Sequence, residues 1–98
     1  MATRSLTRFI DQNDEEVCVL YRHFDGMPDT HGKELKDFLK TLHPDEVYHN
    51  IAHCIKYFNF RDRGDGGQFT AVFPACFRGY DAEYLYTVKR GRVTHEKL

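Results

Sequence analysis

Two histidines and an aspartate stand close together around a predicted chain reversal. His23, Asp25 and His31 lie on either side of Gly26, where a strand is expected to end and a helix to begin. If the reversal brings the three side chains together, imidazole and carboxylate groups suit a divalent metal or general acid–base chemistry. Unpaired N–H groups at the helix start would favour an anion. In the structural alternative, Asp25 only forms the turn, His23 contacts a neighbouring strand and His31 caps the helix.

A binding surface is predicted at the same place, made of the sheet edge and this turn. No complete catalytic set is present in the 98 residues, so binding is favoured over turnover. The predicted ligand-binding residues are Arg22, His23, Asp25, Met27 and His31.

A second histidine pair is a weaker candidate for a metal site. His49 and His53 have i, i+4 spacing on a predicted helix, and two imidazoles one turn apart are able to share a zinc ion. Position 50 is Asn50, so the H-E-x-x-H pattern of metalloproteases is absent. The pair lies opposite the apolar stripe of that helix, which favours two solvated surface residues.

The C-terminal part combines aromatic and basic side chains, a combination typical of surfaces that stack nucleic-acid bases. Asp81 and Glu83 dilute the positive charge, and 14 Lys+Arg against 15 Asp+Glu give a net charge of −1. A nucleic-acid partner is therefore not expected. In the more ordinary interpretation, Tyr84 and Tyr86 pack under the helices and the basic residues solvate a hairpin tip. The residues concerned are Phe77, Arg78, Tyr80, Tyr84, Tyr86, Lys89, Arg90 and Arg92.

The cysteines and the hydropathy pattern indicate a reducing compartment. Cys18, Cys54 and Cys76 are odd in number and form no C-x-x-C pair, so a disulfide framework is not expected. Each lies among apolar residues and is interpreted as a small buried hydrophobe. No signal-peptide pattern or membrane span is recognised, and a cytoplasmic location without membrane partners is predicted.

The hydrophobic periodicity predicts one α+β domain over residues 1–98, with the order β-β-α-α-β-β-β. Since the helices are segregated from the strands, we expect an antiparallel sheet of four to five strands with two helices on one face. A flexible glycine-rich connection is expected over residues 61–67. The predicted strands are 4–10, 16–24, 68–73, 82–88 and 92–95, with helices from Thr30 or His31 to His43 and from Pro44 to about Phe60.

The same periodicity assigns side chains to faces. Strand 16–24 is apolar on both faces and is predicted to be central in the sheet. The expected core positions are Leu35, Phe38, Leu39 and Leu42 on the first helix, Val47, Ile51, Cys54, Ile55 and Phe58 on the second, and Tyr84, Tyr86 and Val88 on one side of a strand.

Three segments have distinctive motifs, namely M-A-T-R-S at the start, H-F-D-G-M-P-D-T-H-G over 23–32 and A-E-Y-L-Y-T-V over 82–88. Together they resemble a family of small phage, prophage and bacterial proteins without an established activity. Its members start with M-[AG]-T-R-S and have a [HQ]-[WYF]-D-G-Y-P-x-x-x-G segment before a helix and an E-E-Y-x-Y-T-V strand. Met27 stands where the family has an aromatic residue, and the link between the helices is shorter. The matching segments here are residues 1–7, 20–35 and 82–88. The resemblance implies a phage or bacterial origin and no mechanism.

These observations favour a small intracellular accessory protein, phage-related, that binds a protein partner or a small anionic ligand. If it is phage-encoded, the host cytoplasm is its expected location. One alternative is a small metal-dependent hydrolase or nucleotide-processing enzyme that uses His23, Asp25 and His31. Another is a structural homo-oligomer in which the tyrosine-rich strand pairs across a symmetry axis. The sequence assigns no cofactor.

Overall fold

A computed structural model describes residues 3–43, 45–61 and 70–98 of the chain. The α+β class and the order of elements along the chain are confirmed, and the described strand ends lie within two residues of the predicted ones. The elements are β1 (Ser5–Ile10), β2 (Glu16–Arg22), a π-helical turn (Pro28–Gly32), α1 (Lys33–Leu39), α2 (Val47–Arg61), β3 (Thr70–Pro74), β4 (Tyr84–Lys89) and β5 (Arg92–Lys97).

The strands form one mixed sheet with the order β3-β2-β1-β4-β5. β1 and β4 run parallel, whereas every other neighbouring pair is antiparallel. The expectation of a purely antiparallel sheet was therefore wrong. A hydrophobic pattern assigns residues to faces but does not name the strand on either side, and a parallel pair needs a long crossover. Here the chain between β1 and β4 contains β2, both helices and β3.

Local turn chemistry explains both hairpins. Between β1 and β2, Oδ1 of Asp11 accepts hydrogen bonds from the backbone N–H of Asn13 at 2.8 Å and of Glu15 at 3.0 Å. Between β4 and β5, Arg90 and Gly91 both have positive φ, 52° and 75°, as a two-residue type I′ turn requires. These two hairpins fix the registers of β1 with β2 and of β4 with β5.

One face of the sheet is covered by α1 and α2, and we call it the helix face. The predicted apolar stripes of both helices pack there, and Tyr84 and Tyr86 lie under the helices as expected. Neither α1 nor α2, the α-helices of the described ranges, has the length and apolar content that a membrane crossing needs. The buried side chains of this core are Phe9, Leu20, Leu35, Leu39, Ile51, Cys54, Phe58, Tyr86 and Val88.

A second, smaller core lies on the opposite face. Leu6, Val19, Tyr21 and Leu85 are buried there under the loop that connects β3 to β4, with Phe73, Phe77 and Ala82 packed against them. β2 contributes to both cores, so its predicted central position is confirmed. Phe24, expected on the strand, lies beyond the end of β2 and is 36% exposed.

The first helix begins later than predicted. Residues Pro28–Gly32 form a π-helical turn, in which the N–H groups of His31 and Gly32 both donate to the carbonyl of Met27. Such turns widen the helix by one residue and re-aim side chains. His31 consequently points into the helix-face core and does not cap α1, which ends at Leu39, four residues before the predicted break at His43.

The glycine-rich connection predicted for 61–67 and the start of the strand predicted for 68–73 lie outside the described residues, apart from Arg61.

A glycine is required at position 26 because the backbone there lies very close to β1 and the residues before it, and not because its own φ is unusual. The positive φ of the turn, 57°, belongs to Asp25. Gly26 instead donates its N–H to the carbonyl of Thr3 at 2.9 Å. A Cβ at this position would lie 2.6 Å from that carbonyl oxygen and 2.7 Å from Cβ of Ser5.

We expect Gly26→Ala to lower the free energy of unfolding by about 2 kcal/mol or more, because the added methyl group meets backbone that cannot move aside. Gly32→Ala is the matched control, since its Cβ would meet no backbone atom, only the Tyr86 ring at 3.1 Å and Cβ of Pro28 at 3.9 Å. Its cost should stay below about 1 kcal/mol, because alanine also favours the helical backbone. Urea unfolding measures both, and equal costs would contradict this account of the turn.

Candidate functional site

Arg22 and His31 meet in a buried network on the helix face. They are 1% and 0% exposed, and Nη1 of Arg22 lies 2.9 Å from Nδ1 of His31 and 3.1 Å from Oε2 of Glu34. Nε of Arg22 donates to the carbonyl of Phe24 at 2.8 Å. On its other side, Nε2 of His31 lies 2.7 Å from Oγ1 of Thr7. The network ties β1, β2, the turn and α1 together.

The contacts of His31 define its protonation state. A guanidinium has only donors, so Nδ1 of His31 must accept from Arg22 and the ring proton must lie on Nε2, which donates to Thr7. Burial, and then the charge of Arg22, lower the pKa of His31 to about 3. The ring also contacts Phe58 and Tyr86, with centroids 5.0 and 4.9 Å away. Both nitrogens are engaged, so His31 acts here as a structural residue.

His23 points to the other side of the sheet. Side chains alternate between faces along an extended chain, so Arg22 enters the helix face and His23 the opposite one, where its Nδ1 lies 2.6 Å from the hydroxyl of Tyr21. Asp25 is exposed at the turn, and its carbonyl accepts from the Thr30 hydroxyl. The expected convergence of His23, Asp25 and His31 in one hollow was therefore wrong.

Met27, the remaining predicted binding residue, lies on the surface and is 39% exposed. Its carbonyl oxygen serves the π-helical turn, accepting from the N–H of His31 at 2.9 Å. Among the described residues, the side chains of Arg22 and His31 contact each other directly. His23 lines a cavity on the opposite face of the sheet.

The metal hypotheses find no geometric support in the described ranges. Within residues 3–43, 45–61 and 70–98, no group of three or more His, Cys, Asp or Glu side chains is placed to hold a metal ion. His49 and His53 are exposed on α2, as the surface interpretation expected, and Nδ1 of His49 lies 3.6 Å from a carboxylate oxygen of Glu46.

The cysteines differ in burial. Cys54 is fully buried as predicted, and burial raises the pKa of its thiol to about 12, which excludes it as a nucleophile near neutral pH. Cys18 is half-buried, whereas Cys76 is exposed. The burial prediction for Cys76 was wrong because β3 ends at Pro74 and the chain turns outward there.

An open cavity lies on the opposite face of the sheet, between the end of β2, the edge strand β3 and the loop from β3 to β4. Its volume is about 450 Å³, and we call it the aromatic hollow. Its lining residues are Arg4, Tyr21, His23, Ala71, Phe73, Tyr80 and Asp81.

Packed aromatic rings form the wall of the hollow. The ring of Tyr80 lies 4.9 Å from that of Tyr21 and 5.6 Å from that of Phe73, and Phe73 stacks on Phe77 at 4.0 Å. Tyr80 and Asp81 have positive φ values of 63° and 51°, a left-handed conformation that is unfavourable for a bulky residue. Such strain persists only where surrounding contacts hold it, and here the contacts are the three rings around Tyr80.

Polar groups stand at the rim of the hollow. Arg4 is half-buried, and its Nη1 reaches the carbonyl of Tyr80 at 3.4 Å. In the part of the chain that the structure describes, no carboxylate lies within ion-pair distance of Arg4. Burial raises the pKa of Tyr21, so its hydroxyl keeps its proton, and this hydroxyl is hydrogen-bonded to Nδ1 of His23. Asp81 is exposed.

Sequence reasoning identified parts of this site without locating it. His23 belonged to the predicted turn, and Tyr80 belonged to the aromatic and basic C-terminal set. That set forms no single surface, since Arg78 pairs with Glu16 at 2.7 Å and Lys89 with Asp14 at 3.1 Å. No sequence pattern indicated that Arg4 and Asp81 belong to one site. The two residues are far apart in the chain, and only the fold brings them to the same cavity.

Comparisons with protein-family models, with curated proteins and with solved structures find no match for this chain. The phage and bacterial resemblance therefore stays a prediction. The chemistry of the site has to be argued from its own geometry.

The pKa of His31 predicts a pH dependence of stability. Its pKa is about 3 in the folded chain against an ordinary value of 6.5, so the unfolded chain binds a proton that the folded chain does not between these pH values. Stability is then full above pH 6.5 and falls as the pH falls. From pH 7 to pH 5 we expect His31 to contribute a loss of about 2 kcal/mol.

Urea unfolding at pH 7 and pH 5 measures this loss, in a range where carboxylates change little. His31→Gln, which cannot take up a proton, should be less stable at pH 7 and should lose about 2 kcal/mol less on acidification. If the variant and the native chain lose the same free energy, His31 does not have the depressed pKa.

Proposed function

We propose that this chain acts by binding and that the aromatic hollow is its site, with a small ligand that joins a planar apolar body to a negatively charged group. A volume of about 450 Å³ is in the range of small-molecule sites, which combine apolar walls with a few polar groups. The rings of Tyr21, Phe73 and Tyr80 supply the apolar wall. The observation on which the proposal rests is Arg4, half-buried at the rim without a carboxylate partner among the described residues.

The proposed charge of the ligand follows from the different burial of Arg4 and Asp81, the two charged residues that line the hollow. Arg4 is half-buried and Asp81 is exposed, and an interaction is stronger where less water screens it. A cation would need rings that surround it, but Tyr80 packs directly on both Tyr21 and Phe73. The three rings therefore form one continuous wall and do not surround the cavity, which supports an anionic ligand over a cationic one.

The predicted turn then has a supporting role. Arg22 and His31 hold the end of β2 from the helix face, and His23, the next residue, forms part of the hollow on the other face. Arg22 and His31 are in this proposal positioning residues, and His23 belongs to the binding wall through its contact with Tyr21.

The wider role in the proposal is an accessory protein of phage or bacterial origin, located in the cytoplasm. A protein partner remains an alternative source of the negatively charged group. No observation favours the metal-dependent enzyme. The alternative oligomer through the tyrosine-rich strand has less support, because β4 is bonded to β1 on one side and to β5 on the other.

We expect phenyl phosphate, used as the probe, to shift the amide NMR signals of the residues that line the hollow. Arg4→Gln should weaken its binding about tenfold, the effect of losing one charge-assisted hydrogen bond. Asp81→Asn should strengthen binding by a few-fold, because it removes a repelling charge. Arg92→Gln on β5, an exposed arginine away from the hollow, is the matched control and should leave the affinity unchanged.

Benzyltrimethylammonium serves as the cationic counterpart of the probe. Stronger binding of this cation, lost in Asp81→Asn and improved in Arg4→Gln, would overturn the proposed ligand charge. Signal shifts that are spread over the surface, or that persist unchanged in Tyr80→Ala, would show that the hollow is not the site.

A further inference from the structure

The two edge strands of the sheet differ in their charge. Strands at a sheet edge expose unpaired backbone groups, and proteins discourage unwanted pairing there with charged side chains. β5 follows this rule, with a sequence Arg-Val-Thr-His-Glu-Lys that is exposed at all positions except Val93. β3, with the sequence Thr-Ala-Val-Phe-Pro, has no charged residue. Of the two described edge strands, β3 is therefore the one without charged side chains to discourage pairing with another strand.

We infer that β3 pairs with β3 of a second copy of this chain, antiparallel and about a two-fold axis at Val72. Val72 is 43% exposed at the centre of the strand. Proline is tolerated in an edge strand where its nitrogen faces away from the neighbouring strand, so Pro74, opposite Cys18 of β2, directs its nitrogen outward. By the alternation of antiparallel pairs, the N–H and C=O of Val72 also face outward.

The strand is complementary to itself in this register. With Val72 opposite its counterpart, each Val72 donates to and accepts from the other, as in a hydrogen-bonded antiparallel pair. Ala71 then lies opposite Phe73 of the partner subunit, and Phe73 opposite the partner's Ala71. A small residue faces a large one at both positions, which is what a two-fold interface requires of one surface patch.

The pairing also affects the aromatic hollow. Ala71 and Phe73 line the hollow from the edge strand, so the partner's Phe73 would stand beside Ala71 at the side of the hollow nearest the edge. The second copy would thus add an aromatic ring to the site. Because the described part of β3 has five residues, we expect a small interface and a dimer that forms reversibly as concentration rises.

Sedimentation velocity from about 10 μM to about 1 mM tests the inference over the range of weak affinities. The native chain should pass from the 11.6 kDa monomer towards twice that mass. Val72→Lys should stay monomeric, because two like charges would face each other. Thr94→Lys, an exposed residue of the other edge strand, is the matched control and should dimerise as the native chain does.

A cross-linking measurement keeps the test independent of the folding of Val72→Lys. In a Cys76→Ser background, Val72→Cys should form a disulfide-linked dimer on mild oxidation, whereas Thr94→Cys should not, because opposed residues of paired strands have Cβ atoms about 5 Å apart. A monomer at every concentration, or a dimer broken by Thr94→Lys and not by Val72→Lys, would overturn the inference. Neither result affects the ligand proposal, since Val72 pairs with Leu20 on the helix face, away from the hollow.

Discussion

The contact between Arg22 and His31 is the constraint on which the rest of this structure depends. A fully buried guanidinium is costly unless its hydrogen bonds are satisfied. The donors of Arg22 go to the carbonyl of Phe24, to Nδ1 of His31 and to the carboxylate of Glu34. Each acceptor belongs to a different part of the strand-to-helix connection, so one buried charge determines where the chain reverses.

This constraint explains the unusual start of the first helix. For His31 to reach Arg22 and Thr7, its backbone must be directed towards the sheet, and the π-helical turn over Pro28–Gly32 does this. Tyr86 completes the connection, since its hydroxyl donates to the carbonyl of Gly26 at 2.6 Å. Local backbone cost in the turn is offset by hydrogen bonds in the core. The same arrangement separates the two faces of the sheet, with the structural network on one and the aromatic hollow on the other.

The sequence predicted correctly those features that depend on the repeat of one helix or one strand, such as which side chains face the core. The stripes of α1 and α2 and the Tyr84, Tyr86 and Val88 face of β4 depend only on the repeat of a helix or a strand, and all pack where expected. The parallel pairing of β1 with β4 depends on a long crossover that no local pattern describes. The candidate site failed for a related reason. Consecutive side chains of an extended chain point to opposite faces of the sheet. Because Arg22 contacts His31 on the helix face, its neighbour His23 must point to the other face, and the predicted convergence of His23 with His31 overlooked this. Arg4 and Asp81 line the same cavity, although they lie far apart in the sequence, and this proximity exists only after folding.

The ¹⁵N NMR shifts of the His31 ring test the central claim most directly. The account predicts, at pH 5, one ring nitrogen with the shift of an N–H donor at Nε2 and one with the shift of a hydrogen-bonded acceptor at Nδ1, unchanged down to about pH 4. A ring that is doubly protonated at pH 5, or that has its proton on Nδ1, could not accept from Arg22. Either result would contradict the arrangement from which the turn, the division of the faces and the position of His23 have been derived.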